Sequence, residues 1–156
     1  DLQCRRFASL ALGNLCASAD NHEALLGADI LTSLSSSLDV EDLETRFNSC
    51  YALNKLAMNH DNILRMGEDA CDVIPPLVRL IGDQDTPART QAISTLRRLA
   101  LEQQNRVSII ACGALKGLAD ACTVEELETE REIAACMCSL ALSGENKVVI
   151  VKSEMM

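Results

Sequence analysis

A leucine recurs along this chain at an almost constant interval. Leu15, Leu56, Leu99 and Leu140 follow one another at steps of 41, 43 and 41 residues. An apolar residue stands three positions before each of these anchor leucines, and an asparagine stands six positions after each. The apolar residues are Leu12, Leu53, Leu96 and Met137, and the asparagines are Asn21, Asn62, Asn105 and Asn146. A phase kept over four copies predicts a solenoid of stacked repeats.

Each unit of this repeat is expected to contain three helices. A glycine follows each of the first three asparagines, and apolar stretches come next at 30–38, 73–81 and 114–122. A polar break then leads into a longer amphipathic segment that ends at the next anchor leucine. This order predicts a short, a medium and a long helix in every unit. We interpret the asparagines as N-caps of the short helices rather than as ligand contacts.

The motif around the first anchor identifies a family resemblance. Residues 11–16 read ALGNLC, and Asn21 and a Gly-Ala pair at 27–28 follow them. Residues 52–57 read ALNKLA, with Asn62 and Gly67 after them. Both copies resemble the armadillo repeat, whose period lies within about 40–47 residues, whereas tetratricopeptide and ankyrin repeats have periods near 34 and 33. The resemblance implies an all-α, right-handed α-solenoid with three helices per repeat.

The period also predicts where the repeats begin and end. We expect the third helix of a partial repeat at 1–20, complete repeats at 21–61, 62–104 and 105–145, and the start of a further repeat at 146–156. Repeats bury their apolar faces only against neighbours, so both ends should leave hydrophobic surface uncovered, notably at 148–151. We therefore expect the chain to be a piece of a longer array.

Composition argues against several classes of function. The net charge of -9 disfavours nucleic-acid binding and anionic membrane surfaces, because both require clustered basic residues. The longest aliphatic run is far shorter than the roughly 20 residues of a membrane span. No phosphate loop, nucleophile elbow or zinc-protease motif is present. We expect a cytoplasmic protein that is not an enzyme and has no cofactor, no small-molecule substrate and no inserted membrane segment.

The eight cysteines are interpreted as free thiols. Five of them neighbour Ala, Leu or Ile in helical patterns, and such cysteines commonly behave as small buried hydrophobes. These are Cys16, Cys50, Cys112, Cys122 and Cys136. The pair Cys136 and Cys138 would point to different faces of a helix, and the chain has only two histidines. No metal site is therefore predicted.

In armadillo proteins the third helices line a concave groove, and the resemblance implies the same groove here. Residues one, about five and about eight positions before each anchor share one helix face, which is expected to point into the groove. They are Phe7, Leu10 and Asn14; Asn48, Tyr51 and Lys55; Gln91, Ser94 and Arg98; and Glu132, Ala135 and Ser139.

Six of these residues are candidate peptide contacts. Asn14 and Asn48 could pair with both polar groups of an extended main chain. Lys55 and Arg98 form a basic spot that could select a carboxylate or a phosphate. The lone tyrosine, Tyr51, would supply an aromatic contact. Gln91 completes the set on the same predicted face.

The sequence favours a scaffold that binds an extended segment of another protein, comparable to vacuolar-adaptor or catenin-like arrays. One alternative is the substrate-recognition arm of a larger armadillo-containing ubiquitin ligase, although no U-box is visible. A nuclear-transport adaptor similar to importin-alpha is a weaker alternative. Importin-alpha places Trp four positions before Asn in its third helices, whereas this chain has no Trp and has Tyr51 with Lys55 at one such pair of positions.

Overall fold

The computed structural model of this chain describes residues 1–68, 72–123 and 126–153, and within these ranges it contains eleven α-helices and no strand. The helices are α1 (Leu2–Cys16), α2 (His22–Gly27), α3 (Ile30–Leu38), α4 (Leu43–Leu56), α5 (His60–Met66), α6 (Ile74–Leu80), α7 (Thr86–Leu99), α8 (Gln103–Ala111), α9 (Ala114–Ala121), α10 (Leu127–Leu140) and α11 (Gly144–Lys152). A short 3-10 turn, Ala19–Asn21, precedes α2. The all-α prediction is confirmed.

The helices stack in parallel rows. The long third helices α1, α4, α7 and α10 each pack against the next one along the chain. The second helices α3, α6 and α9 form another row, while α2, α5, α8 and α11 are the first helices of their units. Each unit contacts mainly its neighbours, which is the arrangement of an open solenoid. The boundaries drawn from the period remain a prediction, and residues 154–156 of the last segment lie outside the described ranges.

The anchor leucines hold these rows together, with one exception. Leu56, Leu99 and Leu140 are completely buried, whereas Leu15 keeps 46% of its surface exposed. Leu15 lies on α1, which packs against α4 but has no long helix on its other side within the described residues. The apolar surface expected at the opposite end is present, because Val148, Val149 and Val151 are exposed.

The sequence suggested that the recurring asparagines cap the first helices, but only Asn21 stands at an N-cap, that of α2, and its side chain makes no capping hydrogen bond. Asn62, Asn105 and Asn146 are each the third residue of their helix, and the N-cap positions are Asn59, Glu102 and Ser143. Each recurring asparagine instead donates its Nδ2 to the carbonyl oxygen of the preceding anchor leucine. The distances are 3.0 Å for Asn21, 2.9 Å for Asn62, 3.1 Å for Asn105 and 3.1 Å for Asn146. They therefore satisfy carbonyls at the end of each third helix.

The same amide groups also join adjacent repeats. Asn62 Nδ2 lies 2.9 Å from His22 Nδ1, Asn105 Nδ2 donates to the Ile63 carbonyl at 3.3 Å, and Asn146 Nδ2 donates to the Arg106 carbonyl at 3.2 Å. Both hydrogens of each amide are thus used toward the unit before, one at the end of its third helix and one on its first helix. All three of these asparagines are buried, so these bonds are shielded from water.

The turn into each second helix contains a residue with left-handed backbone, and a glycine stands near this turn in each unit, at Gly27, Gly67 and Gly113. Only Gly113 adopts that conformation, with φ of 87°. In the other two units Asp29 and Asp72 take it, with φ of 55° and 45°. Aspartate tolerates this region better than most side chains because its carboxylate can bond locally. Asp29 does so, since its Oδ1 accepts a hydrogen bond from Thr32 at 3.1 Å.

Burial of the cysteines agrees only in part with the sequence interpretation. Cys16, Cys50 and Cys136 are buried, but Cys112 and Cys122 are exposed. Burial raises the pKa of the Cys16 thiol to about 11 and that of the Cys136 thiol to about 12. These thiols stay protonated at neutral pH and serve as small core residues. Cys112 and Cys122 are the C-cap residues of α8 and α9.

Candidate functional site

Each third helix has a stripe of side chains at equivalent positions that its neighbours do not bury completely. Because adjacent third helices pack against each other, the four stripes form one surface, which we call the third-helix surface. Its rows are Phe7, Leu10 and Asn14 on α1; Phe47, Tyr51 and Lys55 on α4; Gln91, Ser94 and Arg98 on α7; and Glu132, Ala135 and Ser139 on α10. The α1 row is exposed and the other three rows are half-buried. The rows combine apolar, polar and charged side chains.

The α4 row contains an aromatic and cationic stack. The rings of Phe47 and Tyr51 are stacked with centroids 6.5 Å apart and planes inclined by 25°. Lys55 Nζ lies 4.9 Å from the centre of the Tyr51 ring, close enough for a cation–π interaction. Gly13 on α1 provides room for this stack, because a Cβ there would lie 3.2 Å from Tyr51 Cδ1. The neighbouring helix thus fixes the position of the tyrosine.

Asn48 was expected in this row, but the structure places it elsewhere. It is only 7% exposed, and its Nδ2 donates to Ser9 Oγ on α1 at 3.2 Å. The exposed arc of α4 is narrow, because α1 and α7 cover both flanks. At 100° per residue Asn48 lies about 60° from Tyr51 on the side of α1, while Phe47 lies about 40° away on the other side.

Phe47 is therefore the residue of this surface that the sequence analysis missed. The signal was available in the spacing, since Phe47, Tyr51 and Lys55 follow one another at intervals of four residues. A run at i, i+4 and i+8 drifts slowly around a helix and stays on one face. Asn48 lies seven residues before Lys55 and is also close to this face, but it is on the side of α4 that α1 covers.

The α7 row has Gln91, Ser94 and Arg98, all of them half-buried. Arg98 forms no ion pair within the described residues, and its Nε is buried without a hydrogen-bond partner. The adjacent Arg97 behaves differently, because its Nε donates to Glu132 Oε2 on α10 at 2.9 Å. Arg97 is thus paired with a carboxylate, whereas Arg98 has no counterion among the described residues.

Lys55 and Arg98 occupy equivalent positions in adjacent units, one residue before the anchor leucine, and Asn14 occupies the same position on α1. The structure therefore places Asn14, Lys55 and Arg98 in one line across three packed helices. Tyr51 lies beside this line through its contact with Lys55. Of the six candidate contacts, five are on the third-helix surface and Asn48 is buried beside it.

Acidic residues at the N-terminal ends of the third helices are paired with arginines of the preceding unit. Arg6 contacts Asp42 at 2.6 Å, Arg46 contacts Asp83 at 3.0 Å, and Arg89 contacts Glu126 at 3.6 Å. The sequence analysis did not foresee these pairs, although the three arginines recur at steps of 40 and 43. Asp42 also caps α4, since its Oδ2 accepts from the Thr45 amide at 2.9 Å.

Within residues 1–68, 72–123 and 126–153, no three His, Cys, Asp or Glu side chains are grouped in a way that could hold a metal ion. Over the same part of the chain, every helix is too short or too polar to cross a membrane.

No protein-family model matches this sequence, and no curated protein matches it. Its structure is similar to computationally designed armadillo repeat proteins for modular peptide recognition, with a TM-score of 0.91, 21% identity and 100% of this chain covered. It is also similar to a designed armadillo repeat protein in complex with the peptide (KR)4, with a TM-score of 0.89, 19% identity and 99% of this chain covered. The chain spans 66% of the length of each of these proteins. The fold is an armadillo-repeat solenoid.

Proposed function

We propose that this chain is a non-catalytic scaffold that binds an extended segment of a partner protein along the third-helix surface. The observation that carries the proposal is the stack of Phe47, Tyr51 and Lys55, which is half-buried and lies in the middle of that surface. Tyrosine is enriched among the residues that dominate binding energy in protein interfaces. Its ring supplies a large contact area at a low cost in side-chain entropy.

The surroundings of this stack suit an extended main chain. Asn14 and Gln91 carry side-chain amides, which can donate to a carbonyl and accept from an N–H of the bound segment. With adjacent helices about 10 Å apart, the four rows span roughly 30 Å. An extended peptide of about nine residues covers that distance. The third-helix surface thus offers one aromatic anchor flanked by main-chain partners.

The fold supports this proposal, since designed proteins of the same architecture were made for peptide recognition. One of them binds the peptide (KR)4, which is strongly basic. Lys55 and Arg98 would repel such a peptide here, and the chain has no tryptophan to hold lysine side chains. We therefore disfavour a nuclear-transport role. The substrate-recognition arm of a ubiquitin ligase remains the alternative, and it would use the same surface.

Selection from a displayed library of nine-residue peptides tests the proposal. Enriched peptides should lose at least tenfold in affinity for the Tyr51→Ser variant, because removing an interface anchor commonly costs 1 to 2 kcal/mol or more. The matched control is Leu64→Ser, since Leu64 is a 47% exposed apolar residue on α5, away from the third helices. Circular dichroism shows whether both variants fold. Failure to enrich any peptide, or equal losses in the two variants, would reject the proposal.

A further inference from the structure

We propose that the segment bound on the third-helix surface is acidic, with two anionic side chains that pair with Lys55 and Arg98. This inference rests on the proposed function and adds the chemistry of the ligand. The anionic group is a carboxylate or a phosphorylated side chain, since both satisfy the same cations.

Opposite charges are paired along the third helices. Within the described residues, four arginines of these helices have a carboxylate partner on the next third helix or at its N-terminus. The pairs are Arg6 with Asp42, Arg46 with Asp83, Arg89 with Glu126, and Arg97 with Glu132. Pairing is thus the rule for cations that are half-buried between these helices.

Lys55 and Arg98 are the exceptions to this rule. Both are half-buried, and neither has a carboxylate within 4.0 Å among the described residues. The Nε of Arg98 is buried without a hydrogen-bond partner, as are those of Arg46, Arg89 and Arg106. Those three guanidinium groups are bonded through their Nη atoms, whereas that of Arg98 is bonded to no described residue. The carboxylate of Glu132 on α10 pairs with Arg97, whose Nε donates to Glu132 Oε2 at 2.9 Å, and not with Arg98. The chain leaves these two cations for an external anion.

Lys55 is preorganised for binding an anion. Its Nζ is held 4.9 Å from the centre of the Tyr51 ring, and Tyr51 is itself fixed against Phe47 and Gly13. A cation held in place loses less conformational entropy when it binds an anion than a free lysine does. The same ring offers an apolar contact to the stem of the acidic side chain.

The distance between Lys55 and Arg98 allows one extended segment to reach both cations. They occupy equivalent positions on adjacent packed helices, so their Cα atoms are separated by roughly 10 Å. In an extended segment, side chains two positions apart lie on one face and are about 7 Å apart. The long side chains of lysine and arginine can close the remaining gap. A bound segment with acidic residues at alternate positions therefore meets both cations at once.

The experiment uses Tyr51 as its reporter, since it is the only tyrosine in a chain without tryptophan. Its fluorescence is followed during titration with four synthetic peptides of the same length. These are (Glu-Thr)4, (Gln-Thr)4, (Lys-Thr)4 and a peptide with phosphoserine at the glutamate positions. We expect (Glu-Thr)4 to bind at least tenfold more tightly than (Gln-Thr)4, and (Lys-Thr)4 to bind weakest. The phosphoserine peptide shows which anion is preferred, and a preference for either supports the inference.

Two double variants carry the same loss of charge. The Lys55→Gln, Arg98→Gln variant should bind (Glu-Thr)4 and (Gln-Thr)4 with equal affinity. The control is Lys147→Gln, Lys152→Gln, because both of those lysines are exposed on α11, and it should retain the tenfold preference. If the preference persists in the first variant, Lys55 and Arg98 do not cause it, and the inference is overturned. If it disappears equally in both variants, it reflects net charge, and the inference is overturned as well.

The acidic preference and the proposed scaffold function are tested separately, so one can fail without the other. Equal binding of all four peptides, or binding of none of them, rejects an acidic ligand. The library selection with Tyr51→Ser still decides independently whether the third-helix surface binds a segment. Enrichment of neutral or basic peptides that depend on Tyr51 would uphold the scaffold and reject the acidic preference.

Discussion

Asn105 and Gly67 fit together so closely that each explains the other. A Cβ at Gly67 would lie 1.8 Å from Asn105 Oδ1, far inside van der Waals contact. Gly67 itself has φ of -86°, which any residue adopts, so its lack of a side chain matters for space and not for backbone freedom. The buried amide that joins two repeats therefore depends on a glycine in the preceding repeat.

Gly67→Ala should lower the free energy of unfolding by about 2 to 4 kcal/mol, because Asn105 would have to leave two buried hydrogen bonds. In the Asn105→Ala background the same substitution should cost less than 1 kcal/mol, since the obstructing side chain is gone. Urea denaturation of the two single variants and the double variant gives the coupling energy. Additive effects would show that the two residues do not constrain each other.

At this scale the sequence located the important residues but not their partners. The period identified Asn62 and Asn105 as special, and both turned out to be buried and doubly bonded. Their place before the predicted short helices suggested that they are N-caps, because capping can be inferred from local sequence. The bond to His22 Nδ1 or to the Ile63 carbonyl crosses about 40 residues, and no local rule reveals it.

Among the helices, the pairing of Arg6 with Asp42 joins α1 to the start of α4. Hydrogen bonds from the Arg6 guanidinium and from Thr45 hold the pKa of the Asp42 carboxyl well below its usual value of 3.8. A carboxyl with a lowered pKa contributes stability above its unfolded pKa, and this contribution is lost as the pH falls toward the folded value. The pair therefore stabilises this contact at neutral pH but progressively less in acid.

The Asp42→Asn variant should be less stable than the parent chain, by an amount that is constant from pH 6 to 8. The difference should shrink progressively below about pH 4, where the unfolded aspartate takes up its proton. Urea denaturation at several pH values measures it. Glu23→Gln is the control, since Glu23 is exposed on α2 and forms no ion pair within the described residues. A pH-independent difference would mean that the charge of Asp42 does not contribute.

The order of the helices and the greater length of the third helix were predictable, because apolar spacing and the position of the anchors depend on local sequence. The expected short first helix and medium second helix occur only in the first unit, since α5 and α6 have 7 residues each, and α8 has 9 residues against 8 in α9. The exact face of α4 was not. Asn48 and Phe47 are adjacent in sequence, and which of them is exposed depends on how α1 and α7 cover the flanks. That coverage is a tertiary property, and a shift of one position along a helix turns the side chain by about 100°.

For the whole molecule, stacking converts a period in sequence into a surface. Equivalent positions of successive units, such as Asn14, Lys55 and Arg98, come into line because each third helix packs on the next. The period alone identifies these equivalent positions in the sequence. The sequence could not show that Arg97 has a carboxylate partner while Arg98 has none among the described residues. The two arginines are neighbours in sequence, and only the packing of α10 distinguishes them.

The central claim is that an extended segment binds across the third helices. Amide chemical-shift mapping of the isotope-labelled chain, titrated with a library-selected peptide, tests it most directly. We expect the shifts to cluster on α1, α4 and α7, with the largest changes around Tyr51 and Lys55. Shifts concentrated on the second helices α3, α6 and α9 would contradict the claim, because they would place the partner on the opposite row of the solenoid.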